Sequence, residues 1–130
     1  MADLYLTAGP WGRGQAVSGG RPISVSCQDT FLVAAADGSV GGGQESSGLY
    51  HADTRYIAEY RLSVNDEPLQ PLSVSRRGFW HARWELLASR RRGIGAGESS
   101  PGTVTVTLER HLGWGQMHED VTMRQWGGAP

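Results

Sequence analysis

The sequence predicts an all-β protein built as an antiparallel β-sandwich, and three observations carry that prediction. Apolar and polar side chains alternate with period two along several stretches, the pattern of half-buried strands. No convincing run of apolar residues recurs at helical spacing. Glycine supplies 19 of the 130 residues, and it clusters between the alternating stretches, which suits short strands joined by many turns.

The elements follow in chain order. Residues 1–22 read as a flexible leader, because Pro10, Gly12, Gly14, Gly19 and Gly20 leave little surface to bury. The sandwich domain is expected over 23–127. Ile23 to Cys27 alternates, and Thr30 to Ala34 is a compact apolar strand. Asp37-Gly38 supplies the positive φ of a tight hairpin turn, with Ser39-Val40 starting the return strand. Gly41 to Gly48 is a flexible connection. Tyr56, Ala58, Tyr60, Leu62 and Val64 then share one parity and Ile57, Glu59, Arg61 and Ser63 the other, which predicts one long strand. Asn65-Asp66-Glu67-Pro68 reverses the chain, and Leu72, Val74 and Arg76 continue the return. Phe79 to Leu87 puts Trp80, Ala82, Trp84 and Leu86 on one face. Ser89 to Gly102 is a long connection of disordered composition. Thr103 to Leu112 is the cleanest strand, with Val104, Val106 and Leu108 on its apolar side. Gly113-Trp114-Gly115 turns the chain into a last alternating stretch from Met117 to Met123.

Composition bounds the function. At 130 residues the chain holds one domain. A net charge of -1 gives no electrostatic footprint for nucleic acid. Every basic residue is Arg, in short runs at Arg76-Arg77 and Arg90-Arg91-Arg92 that read as a solvated surface. Cys27 is the single cysteine, so no intrachain disulfide forms. Met1 to Pro10 lacks the basic start and apolar run of a signal peptide. No stretch approaches the ~20 apolar residues of a membrane helix. The expectation is a soluble cytoplasmic protein with no membrane and no nucleic-acid partner.

The densest group of reactive side chains is His51-Ala52-Asp53-Thr54-Arg55. His51, Asp53 and Arg55 occupy alternate positions and are expected to present one polar face. Two readings stay open: substrate hydroxyl binding or acid–base work, and a structural network in which Arg55 forks onto Asp53. A metal set drawn from His51, Asp53, His81, His111 and His118 has no short-range pair of zinc-type spacing, so no metal site and no cofactor is expected. There is no G-x-S-x-G nucleophile motif, and the glycine clusters open no helix, so they are not phosphate loops. Trp80 and Trp84 on one strand face are either core or a sugar-stacking platform.

Thr30-Phe31-Leu32-Val33 before Asp37-Gly38, Gly48-Leu49-Tyr50-His51 with Asp53-Thr54-Arg55-Tyr56-Ile57, and Leu62-Ser63-Val64-Asn65 resemble the N-terminal domain of bacterial and archaeal glycogen debranching enzymes of the amylo-α-1,6-glucosidase type. Thr105 to Arg110, Glu119 to Met123 and Trp126-Gly127 resemble that family's closing strands. Gln125-Trp126 and Val64-Asn65-Asp66 depart from its usual residues. The resemblance implies a supersandwich-like β-sandwich preceding an (α/α)-barrel glucosidase domain that houses the hydrolytic acids. It implies further strands, so the sandwich is expected to be incomplete at its C-terminal end. On this reading the chain has no catalytic residues of its own. It is a non-catalytic accessory module in carbohydrate metabolism, partnered by a catalytic barrel domain or subunit and shaping its glucan cleft, with His51, Asp53 and Arg55 as its polar cluster, either structural or facing the cleft to bind substrate. The alternative is a free-standing α-glucan-binding module using Trp80 and Trp84.

Overall fold

Ten strands and no helix make up the described part of the chain. The computed structural model describes residues 6–9, 21–42, 46–64, 67–88 and 103–126. The strands are β1 (Leu6–Gly9), β2 (Ile23–Cys27), β3 (Thr30–Ala34), β4 (Gly48–His51), β5 (Thr54–Ile57), β6 (Arg61–Val64), β7 (Glu67–Arg76), β8 (His81–Ala88), β9 (Thr103–Gly113) and β10 (Gln116–Trp126). They form two antiparallel sheets, one ordered β2-β3-β4-β5 and one ordered β1-β6-β7-β8-β9-β10. Each is a meander of sequence neighbours, and only β1 reaches its place, against β6, from elsewhere.

The apolar parities face each other between the sheets. Ala82, Trp84, Leu86 and Ala88 of β8 and Val104, Val106, Leu108 and Leu112 of β9 are buried. Val25, Leu32 and Ala34 cover them from the smaller sheet. Trp84 is fully enclosed, and its indole Nε1 donates to the Ala35 carbonyl at 3.2 Å, so its single polar atom is matched.

Several expectations hold. The strands Ile23–Cys27 and Thr30–Ala34 form as predicted, the strand predicted over Thr103 to Leu112 forms and runs one residue further, to Gly113, and Trp114-Gly115 turns the chain into β10. Asp37-Gly38 does turn, with Gly38 at φ 82, but Ser39-Val40 does not return along β3. Val40 instead makes an isolated bridge with Tyr60, exchanging both backbone hydrogen bonds and tying the two sheets together.

That crossing also divides the predicted long strand. Tyr56 belongs to the small sheet and is 65% exposed, whereas Leu62 and Val64 belong to the large sheet and are buried. Ala58 to Tyr60 carry the chain between sheets. The two-residue alternation stays in phase through the crossing, so periodicity gave no warning of it. The expected leader is corrected as well: Leu6–Gly9 pairs with Arg61–Val64 as a sheet edge. Residues 10–20, the Ser89–Gly102 connection and 127–130 lie outside the described residues. Strand β8 begins at His81 rather than Phe79, which leaves Phe79 and Trp80 in the preceding turn, 75% and 51% exposed. A bulge between Pro71 and Ser73 pushes Leu72 out of register, which exposes it.

Gly38 is fixed by space as well as by φ. A Cβ there would stand 2.7 Å from Leu108 Cδ2. Gly38→Ala therefore combines left-handed strain with overpacking and should lose about 2–4 kcal/mol. Equilibrium urea unfolding measures this; an unchanged midpoint would contradict the packing described.

Candidate functional site

The His51 to Arg55 segment is the β4–β5 hairpin, and its turn decides where its side chains go. Ala52 and Asp53 both have positive φ, 50° and 67°, the twist that suits a two-residue hairpin. His51 consequently pairs with Thr54, and Tyr50 with Arg55. His51 and Arg55 therefore leave opposite faces of the sheet, and Asp53 sits exposed at the turn between them. The single polar face expected from alternate spacing does not form, because alternation fails at a turn.

Each residue has its own surroundings. His51 Nδ1 lies 2.9 Å from Oγ1 of buried Thr30, which also accepts a hydrogen bond from Gly115 N at 2.7 Å. The imidazole meets the Trp114 indole edge-on, with centroids 5.0 Å apart, and Tyr56 at 6.4 Å. His51 thus joins the end of the small sheet to the β9–β10 turn of the large one. Arg55 donates to the Ser47 carbonyl at 3.0 Å and lies over the Tyr50 ring, itself stacked on Phe31. A Cβ on Gly48 would stand 2.5 Å from Arg55 Cδ, so the glycine makes room for that arm.

Tyr56, Phe79, Trp80 and Trp114 are all more than half exposed and all sit at or near turns at this same end of the sandwich. The Phe79 carbonyl accepts from Ser26 N and the Trp80 carbonyl from Leu112 N, which fixes that turn against both sheets. Trp84 cannot join Trp80 as a stacking platform, since it is fully buried. Sequence reasoning missed Tyr56 and Trp114. Trp114 was legible as the apex of a Gly-Trp-Gly turn, where an indole finds little cover.

The outer face of the large sheet is polar. Arg83, Glu85, Thr105, Thr107, Glu109 and Arg124 are among the residues lining a concavity of about 380 Å³. Glu85 is held by Thr107 Oγ1 at 2.9 Å and by Arg83 Nε at 2.7 Å. His81, His111 and His118 continue this face toward the aromatic end, paired directly across β8, β9 and β10.

Between the sheets lies a buried charge. Arg110 donates through Nε to Glu119 Oε1 at 3.0 Å and through Nη1 to the Gly38 carbonyl at 2.7 Å. Its guanidinium packs over the rings of Trp84 and Tyr60. Burial pushes Arg110 below its ordinary value, and Glu119 opposes that shift. Tyr60 donates its hydroxyl to Glu119 Oε2 at 2.7 Å.

Fold and surface together define an antiparallel two-sheet sandwich domain whose distinctive chemistry gathers at one end and on one outer sheet face. A family model for the N-terminal domain of some glycogen debranching enzymes matches residues 25–130, and the chain belongs to that family. The chain is also 35% identical over 75 residues to human (Homo sapiens) methylcytosine dioxygenase TET3, an overlap of 56% of this chain but 4% of that protein. No solved structure matches significantly.

Two predictions follow from this geometry. Burial, then the hydrogen bond to Glu119 and its charge, raise Tyr60 from 10.0 to about 12 against the opposing Arg110. The neutral phenol is thus the form favoured by folding. Its contribution is whole below pH 10 and lost as pH climbs through 12. Urea denaturation across that window should show the wild type losing stability more steeply than Tyr60→Phe; parallel slopes would refute the assignment. At the hairpin, a left-handed Ala52 costs about 1–2 kcal/mol. Thermal melts of Ala52→Gly should match or exceed wild type, while Ala52→Val should melt several degrees lower.

Proposed function

We propose that this chain acts as a non-catalytic N-terminal module of a glycogen-debranching enzyme, packing on an (α/α)-barrel glucosidase domain and shaping its glucan cleft. Family membership supports the place in carbohydrate metabolism. The observation that carries the packing role is the aromatic end. Four large aromatic side chains, each more than half exposed, leave one end of the sandwich together. Exposed aromatic residues at a rigid surface are the usual anchors of an interface. Hydrolysis on this reading belongs to acids of the barrel domain. Asp53, exposed at the β4–β5 turn, stands at the same end and is the member of the nominated trio best placed to reach substrate or barrel. His51 supports Trp114 from behind.

A second reading is favoured by the Tyr56, His51 and Trp114 group, which offers stacking surfaces beside polar atoms, as an α-glucan-binding module would. Trp80 remains available to that reading, and Trp84 does not.

Calorimetry with a separately produced barrel domain tests the first reading. We expect saturable association that Trp114→Ala or Phe79→Ala weakens by about thirtyfold, the loss of one interface hot spot. Absence of association, with maltooligosaccharides quenching tryptophan fluorescence instead, would replace the first reading with the second.

A further inference from the structure

Three of the chain's 4 histidines stand in one row across the large sheet. His81 of β8 is the register partner of His111 of β9, and His111 is the partner of His118 of β10. Glu109, two residues before His111, leaves the same outer face. The His81 and His111 rings stack with centroids 3.9 Å apart and planes 24° apart. Glu109 Oε1 approaches His81 Nε2 to 3.4 Å, an ion-pair distance without hydrogen-bond geometry. His81 Nε2 and His111 Nδ1 are both buried, and neither has a hydrogen-bond partner. Buried nitrogens left unmatched are costly, and two on facing rings point to something that satisfies both. One donor atom from each of His81, Glu109 and His111 lies within 4.8 Å of the other two.

We propose that His81, His111 and Glu109 form a binding site for a divalent transition-metal cation, with zinc as its type. Two imidazoles and one carboxylate are the donors such ions take, and three protein ligands leave one coordination position open. Magnesium and calcium are excluded by the same donors, because they call for all-oxygen shells. Tetrahedral coordination at ~2.0–2.2 Å sets donors roughly 3.3 Å apart. Rotation of the two rings out of their stack closes the set to that spacing. No strand need move, since cross-strand partners already bring side chains to ~5 Å at Cβ. Arg83 Nη1, 3.6 Å from Glu109 Oε2, holds the carboxylate from behind, and its charge is offset by Glu85 at 2.7 Å. His118 turns toward Asp120 at 3.2 Å and is not a ligand. The sequence offered His81 and His111 as candidates but could not join them, because zinc-type spacing is a rule for ligands close in sequence. Here they come from adjacent strands, 81 with 109 and 111.

Calorimetric titration of the 130-residue chain with Zn²⁺ alone, beside thermal melts, tests the site. One ion per chain is expected, with a melting temperature raised by about 10 °C at a hundredfold excess over Kd. Co²⁺ should give the visible absorption of a low-coordinate site, and Mg²⁺ should do nothing. His81→Gln and His111→Gln should each abolish binding; both positions are on the outer face, so the core survives. Glu109→Gln should weaken binding by more than about tenfold, and His51→Gln should leave it intact. No Zn²⁺ binding by wild type, or binding retained by the His81→Gln/His111→Gln double variant, overturns the proposal.

Discussion

Arg110 is the constraint around which the sandwich closes. A guanidinium cannot shed its charge on burial, so every donor it takes from water must find an acceptor inside. It finds partners on four different parts of the chain: Glu119 on the neighbouring strand, the Gly38 carbonyl on the turn beyond β3, and the π-faces of Trp84 on β8 and Tyr60 at the crossing. Tyr60 is also the residue that bridges Val40 at the crossing between sheets. Satisfying one buried charge therefore sets the approach of the sheets, the turn at Asp37-Gly38 and the place where the chain changes layers. A hydrophobic residue at 110 would fill the space but would specify none of these.

This arrangement gives the motif residues an architectural meaning. Asp37-Gly38 and Arg110 belong to the stretches by which the chain resembles debranching-enzyme N-terminal domains, and they meet each other inside the sandwich. Arg55, in the most distinctive of those stretches, holds the end of the Gly41 to Gly48 connection. The stretches that mark the family thus supply much of its scaffold. What the scaffold displays lies in the turns at the His51 end and on the outer face of the large sheet, in part on side chains of those same stretches, His51, Tyr56 and Glu109 among them. Both are rigid for the same reason. The turns are pinned by hydrogen bonds to the opposite sheet, from Ser26 N to the Phe79 carbonyl and from Gly115 N to the Thr30 hydroxyl among them.

The His51, Asp53 and Arg55 group shows how a correct local pattern misleads about a site. Alternate positions share a face only while the backbone stays extended. Two consecutive positive-φ residues end that condition, and neither Ala52 nor Asp53 announces it as Asn-Gly would. The histidine row shows the converse. Once Trp114-Gly115 is taken as the turn, counting outward pairs His111 with His118, yet His81 joins them only through the β8–β9 register across a long connection.

By itself the sequence determined the all-β class, the identity of most strands and the family. It also determined the buried parities of β8, β9 and β10, though not of β5, where Ile57 rather than Tyr56 turns to the core. These depend on two-residue periodicity and short motifs, which are local. Tertiary structure decided where the chain changes sheets, which tryptophan is core and which is surface, and which polar residues become neighbours. Those outcomes rest on contacts between residues far apart in the chain, Arg110 with Gly38 and Tyr60 with Glu119 above all, and no window of sequence holds both partners.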